Sequence, residues 1–476
     1  MWRNEGAACS ASAAVSVLRS SMRFCVVVVV AIGLLSGGCQ RPPAPPAPAT
    51  SSSQPMFLHD DYQGALDAAA RAGAVVFVDA WAPWCHTCLS MQRDVLSKPA
   101  LAAFNDHVVF VGIDTDRPQN AAFLAAHPVS LWPTFLIVDP RAPQTPLAVN
   151  PGAMSLDATV GFIEGALARR ANSEVVDVVT AALDVGHLAL AAGDGEGAVS
   201  AFVKAAQKAR PDHPRRQEAV VRAAWAFTKQ ASRAAECVAF VDAHAPSLTG
   251  GPAGDVLGAA ARCIDGLTDP AQKTQAKQAT RARLAALVEA PAVGASVDDQ
   301  ADVMATLADL LGEEANNADA VKALHERRLA LLERDANSAV DVRGQQVHDY
   351  ARMNSLFALG RGEEAVTLLA ARAKAIPDDY EPTARLASAL FRLKRHDEAK
   401  VHAERAVALA YGPRRLRYLT LLADIEEARG DVAARDRALQ TIVKDGEALP
   451  APLRLASVTD AAKARLAPAA PATAAP

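Results

Sequence analysis

Cys85 and Cys88 lie two residues apart in the stretch WAPWCHTC, residues 81–88, in a chain of 476 residues with seven cysteines. Thiols at i and i+3 can face each other across the first turn of a helix. The N-terminal one then sits near free backbone N–H groups and the positive end of the helix dipole, a setting that favours thiolate, the reactive form of cysteine. Three chemistries use such a pair: a dithiol that cycles through a disulfide, half of a zinc site, or a structural disulfide. Zinc takes four ligands, and no second CxxC or HxxxH follows; His86, His107 and His127 are isolated. The expectation is therefore no metal, and no cofactor other than the Cys85–Cys88 disulfide itself.

Such a pair needs a strand before it and a helix after it, and the flanking pattern supplies both. DYQGALDAAARAG (61–73) reads as an amphipathic helix, and AVVFVDAW (74–81) as a short apolar strand rich in β-branched residues. The CHTC segment opens a second helix that continues through LSMQRDVL. HVVFVGID (107–114) is a second buried strand, and TFLIVD (134–139), following LWP, is a third. SLDATVGFIEGALARR (155–170) closes the region as a helix with Ser155 as its N-cap. This alternation predicts one α/β domain over residues 56–170.

After about residue 171 the strand signals stop, and an Ala-, Leu- and Arg-rich helical pattern runs to 465. ALGRGEEAVTLLAARAKAIPDD (358–379) and RLKRHDEAKVHAERAVALAYG (392–412) align at a 34-residue offset, with Ala365 matching Ala399. Leu386, Ala387, Leu390, Ala399, Ala403 and Ala406 occupy the small and apolar positions, and Pro377 falls at the repeat's proline. Gly186, Ala198, Phe202 and Ala205 carry the same spacing upstream. These segments resemble tetratricopeptide repeats, whereas 215–345 and 414–450 fit only a looser α-solenoid. An all-α tetratricopeptide-like solenoid over 171–465 is expected, followed by a disordered Ala/Pro tail at 466–476. Such solenoids present concave surfaces to proteins and peptides, so the resemblance implies a bound protein or peptide partner.

Residues 77–138 resemble a thioredoxin-fold domain, closest to the C-terminal periplasmic domain of transmembrane thiol:disulfide interchange reductases. Asp79 lies six residues before Cys85, where that family has its buried acid, and Trp84 precedes the first cysteine. DVLSKPALAAF (94–104) is similar to the family's helix break and second helix, and WPTFLIVD (132–139) places Pro133 at the family's cis-proline. The resemblance implies that Cys85 attacks a substrate disulfide, Cys88 resolves the mixed disulfide, and Asp79 takes the Cys88 proton. Pro133 faces the sulfurs in that scheme, with Trp84, His86 and Trp132 around the substrate. His-Thr replaces the usual Gly-Pro between the cysteines, and a protonated His86 would make the couple more oxidising; a solvent-facing His86 is the alternative. The lysine that accompanies the acid in ordinary thioredoxins has no match, and Phe110 takes its strand position. Met91 reads as core.

The N-terminus reads as targeting sequence. Arg19 and Arg23 precede FCVVVVVAIGLL (24–35), too short to span a bilayer but suited to a signal peptide. LLSGGC resembles a bacterial lipoprotein signal, which implies lipidation at Cys39, with an ordinary secretory cleavage as the alternative. Expected boundaries are a signal at 1–38 and a Pro/Ser-rich linker at 39–55. Export implies an oxidising compartment, here the periplasm with an anchor towards the outer membrane, and favours a disulfide between Cys237 and Cys263. A net charge of −4 with interspersed signs excludes a nucleic-acid partner. The combined reading is an exported thiol–disulfide oxidoreductase, reductase or isomerase rather than oxidase. It would act on protein disulfides and, as a reductase, draw electrons from a membrane donor. The alternative is an envelope scaffold whose thioredoxin-like domain only binds.

Overall fold

The computed structural model describes residues 54–129, 131–172, 177–213 and 215–467. The expected signal, the lipidation site Cys39, most of the linker and nearly all of the tail lie outside the described residues.

Among the described residues, five strands form one mixed sheet in the order β1-β3-β2-β4-β5. They are β1 (Phe57–His59), β2 (Val75–Trp81), β3 (Val108–Asp114), β4 (Thr134–Val138) and β5 (Ala148–Pro151). β1 and β2 run parallel to β3, whereas β4 is antiparallel to both β2 and β5. The sequence shows the three central strands because they are continuous apolar runs. β1 and β5 escape notice because they are short edges; FLH is mostly exposed and AVNP ends in proline.

The pleat of β2 divides its side chains between two cores. Val76, Val78 and Ala80 pack with Ala65, Leu66 and Ala69 of helix α1 (Tyr62–Ala72). Val75 and Phe77 face the other way, against Met91, Leu96, Phe110, Phe135 and Ile163. Asp79 shares the Phe77 face by strict alternation, which puts a carboxyl on the side of the sheet covered by the cysteine helix. That helix is α2 (His86–Met91), continued by a π-helical turn at Gln92–Leu96. Helices α3 (Pro99–Ala102), α4 (Ala121–Ala126) and α5 (Leu156–Asn172) complete this part, and Ser155 Oγ accepts from Ala158 N at the start of α5.

Among the described residues, only helices follow. Gly362–Ala375 and His396–Leu409 begin 34 residues apart, and Ala365 and Ala399 are each fully buried. Tyr380–Arg392 packs between them, as in a tetratricopeptide-like solenoid. A Cβ at Gly186 would run into the Phe202 ring, so glycine there lets helix Val178–Ala191 close on Gly195–Lys208. The stretches that match the 34-residue template poorly continue as consecutively packed helices. Cys237 and Cys263, on helices Ala234–His244 and Gly251–Asp265, are bonded with Cα atoms 6.2 Å apart.

The helical region does not stand clear of the α/β region; the described residues form one compact unit. Leu453, just beyond helix Val432–Ala448, completes the core containing Phe123 and Leu124. Arg215 donates to Val149 O on β5 at 3.1 Å. Tyr411 Oη donates to Asp114 Oδ2 at the end of β3.

Candidate redox site

Cys85 is the N-cap of α2, and its Sγ accepts from Cys88 N at 3.0 Å. The two sulfurs are bonded, with Cα atoms 5.2 Å apart. Cys85 is 5% exposed and Cys88 fully buried, within a small apolar cluster of Ala82, Trp81, Trp84 and Trp132. A first helical turn leaves N–H groups with no carbonyl partner, so negative charge on Cys85 is stabilised there. The more buried Cys88 lacks that advantage.

Asp79 is 1% exposed. Gln92 Nε2 donates to its Oδ2 at 3.1 Å, while Oδ1 is buried with no hydrogen-bond partner. Burial pushes the Asp79 carboxyl up to about 7, with the Gln92 donor pulling the other way. Its neighbour on β3 is Gly112, and Phe110 stands two residues along the same face, opposite Phe77. An apolar ring thus lies where a cation would have lowered the pKa, and Gln92 provides the polar contact instead. The positions 85, 88 and 92 fall on one helical face by spacing alone, a signal that could have singled out Gln92 from sequence.

Trp84 and Trp132 pack edge to face with ring centroids 5.2 Å apart. Trp84 Nε1 donates to Asp116 Oδ2 at 2.8 Å, and Trp132 Nε1 to Thr115 Oγ1 at 2.7 Å. Both indoles are therefore anchored to the segment leaving β3. Asp116 is 4% exposed, and burial next to Asp114 raises its carboxyl to about 7. Pro133 is buried and follows Trp132 through a cis peptide bond. Met91 lies in the core, its sulfur 3.4 Å from Met154 N.

The helical region reaches this site from two sides. The Arg414 guanidinium lies 4.9 Å over the Trp84 ring and is held by Glu381 at 3.1 Å. On the other side, Ser90 Oγ of α2 donates to Asp298 Oδ2. His86 is half-buried and within electrostatic reach of Asp298, whose carboxyl is held below the usual range chiefly by His348. No sequence signal connects residues more than 200 positions apart, so Asp298 and Arg414 could be found only in the fold.

Among the described residues, no group of three or more His, Cys, Asp or Glu side chains is gathered as a metal site would require. Strand, CxxC helix, buried acid and proline lie in thioredoxin order and place.

Residues 58–140 match the thioredoxin-like family model. The thioredoxin-like region is also similar to protein disulfide-isomerase 1 of Dictyostelium discoideum, 29% identical over 119 residues, 24% of this chain and 32% of that protein. Protein disulfide isomerase-like 5-3 of Oryza sativa subsp. japonica is 33% identical over 82 residues, 17% of this chain and 19% of that protein. The chain thus spans a third or less of either curated relative. Among solved structures, a tetratricopeptide repeat protein from Parabacteroides merdae aligns with 60% of this chain and 99% of its own, at 12% identity and TM-score 0.36. BtubC from P. vanneervenii covers 49% and 92%, at 13% identity and TM-score 0.31. Those scores add nothing to what the helix pairs themselves display.

Proposed function

We propose that the protein is a thiol–disulfide oxidoreductase acting on protein disulfides, as reductase or isomerase. The observation that carries this reading is a disulfide at a helix N-terminus with a near-neutral buried acid on the sheet face beneath. A purely structural disulfide has no use for Asp79, whose burial is costly and whose Oδ1 finds no partner.

In the reduced state the Cys85 thiolate attacks one sulfur of a substrate disulfide. A Cys85–substrate bond forms and the other substrate sulfur leaves as thiolate. Cys88 then attacks Cys85 Sγ, passing its proton to the Asp79 carboxylate, and the second substrate thiolate departs. Two electrons have moved from the protein to the substrate, and Cys85–Cys88 is oxidised. A dithiol donor must restore it, and in the exported setting proposed here this is a membrane reductase. Export, lipidation at Cys39, and attachment to the outer membrane belong to the same proposal. They are supported by the apolar run 24–35 and the LLSGGC stretch.

The test is a redox titration of the pair in glutathione buffers, scored by thiol alkylation, on the chain beginning after Cys39. A potential near the thioredoxin value of about −270 mV supports a reductase, and one near about −180 mV an isomerase. A value near about −120 mV would make it an oxidant. A pair that never cycles leaves the scaffold reading.

A further inference from the structure

Helix α2 and its π-helical continuation carry two polar side chains across to the helical region, Ser90 and Arg93. Ser90 Oγ donates to Asp298 Oδ2 on helix Val297–Gly312. Arg93 pairs with Asp335 Oδ2 on helix Ala318–Ser338 at 2.6 Å and also donates to Gly344 O at 3.3 Å. His348, 1% exposed, lies between the two aspartates. Its Nδ1 is 2.9 Å from Asp298 Oδ1 and its Nε2 is 2.7 Å from Asp335 Oδ2. The path Ser90–Asp298–His348–Asp335–Arg93 leaves the cysteine helix and returns to it one turn later.

Charge accounts for the arrangement. A neutral imidazole has one N–H and can serve one carboxylate; an imidazolium hydrogen-bonds Asp335 through Nε2 and attracts Asp298, 2.9 Å from Nδ1, by charge. Asp298 and Asp335 then face one imidazolium and one guanidinium, and the more exposed Asp94 shares the Arg93 guanidinium at 2.6 Å. Removing one partner of the buried His348–Asp298 pair leaves the other uncompensated, which ties the cysteine helix firmly at this end. Asp298 and its neighbour Asp302 also lie within electrostatic reach of His86, the residue that follows Cys85. Asp299 and Arg328 are the other charged groups acting on this pair of aspartates.

We propose that Asp298 and Asp335, bridged by His348, are positioning residues of the redox centre, through which the helical region sets the balance between dithiol and disulfide at Cys85/Cys88. This rests on the oxidoreductase reading. Negative charge at Asp298, held against the cysteine helix by Ser90, opposes thiolate at Cys85, and positive charge at His348 favours it. Asp298→Asn therefore favours the dithiol and makes the couple more oxidising. His348→Gln removes the central positive charge and moves it the other way.

The exchange to be titrated is dithiol plus oxidised glutathione giving the Cys85–Cys88 disulfide plus two reduced glutathione molecules. The full chain beginning after Cys39 is compared with Asp298→Asn, His348→Gln and Ser90→Ala. Arg215→Ala, which weakens a different contact between the two regions, serves as control. The expected result is a change of about threefold in the equilibrium constant, the size of a single charge acting across a partly solvated interface. Its sign is opposite in Asp298→Asn and His348→Gln, and the control stays at the wild-type value. Equal potentials in all variants, or a shift of one sign in every variant including the control, would overturn the proposal. If Asp298→Asn and His348→Gln do not fold, Ser90→Ala decides, since it cuts one hydrogen bond and no charge. An unchanged potential there refutes the positioning role, and a changed one upholds it. A wild-type pair that does not cycle instead refutes the oxidoreductase reading itself.

Discussion

Asp79→Asn changes one oxygen to an amide at constant shape, and its consequence can be worked out from the fold. In the native protein the carboxyl titrates at about 7, against 3.8 for the ordinary side chain. Between those values the unfolded chain has released the Asp79 proton while the native protein holds it. The native state then binds more protons, so stability falls as pH rises from about 4 to about 7 and is flat above. At 1.36 kcal/mol per pH unit the accumulated penalty is about 4 kcal/mol. Asparagine carries no such penalty and can still accept from Gln92. The oxidised wild type and Asp79→Asn should therefore be similarly stable at pH 4. By pH 7.5 the variant should be more stable by about 4 kcal/mol. Urea unfolding followed by the fluorescence of Trp81, Trp84 and Trp132 measures the gap at each pH, and every other titrating group cancels in the difference. A gap that stays constant from pH 4.5 to 8 would refute the argument that Asp79 is held neutral by burial.

The two cysteines should behave asymmetrically. Cys85→Ser abolishes reduction of a protein disulfide such as insulin's, whereas Cys88→Ser accumulates a mixed disulfide visible on a non-reducing gel; equal behaviour would contradict their assigned order. Gln92→Leu removes the one donor to Asp79 and raises its pKa further. The pH at which reduction reaches half its maximum should therefore move up, and a downward shift would exclude Asp79 as the proton acceptor. Opening the Cys237–Cys263 disulfide by Cys237→Ser and Cys263→Ser together frees a 26-residue loop. The chain-entropy relation gives about 3.5 kcal/mol of lost stability. The melting temperature should fall while the Cys85/Cys88 potential stays unchanged.

The bonded cysteine pair, the buried Asp79 and the cis Pro133 could be read from sequence because they belong to local patterns. A buried strand is a continuous apolar run, the CxxC opens the helix that follows it, and Asp79 interrupts the run at a position whose parity with Phe77 fixes its face. The helix pairs were legible for the same reason, since small residues recur where helices touch. β1 and β5 were not, because edge strands take their pairing from neighbours rather than from their own pattern. The relation between the two regions was not legible either. Sequence suggests a thioredoxin-like domain followed by a helical repeat region, and says nothing of contacts between them. The fold instead brings Leu453 into the α/β core, Arg414 onto Trp84, and Asp298 against Ser90. These contacts join residues far apart along the chain, through single charges and hydrogen bonds that leave no periodicity. The sequence alone determined the chemistry available at Cys85 and Cys88. Only the tertiary structure decided that this chemistry sits in a setting built partly by the helices, because burial and charge pairing depend on what the whole chain brings together in space.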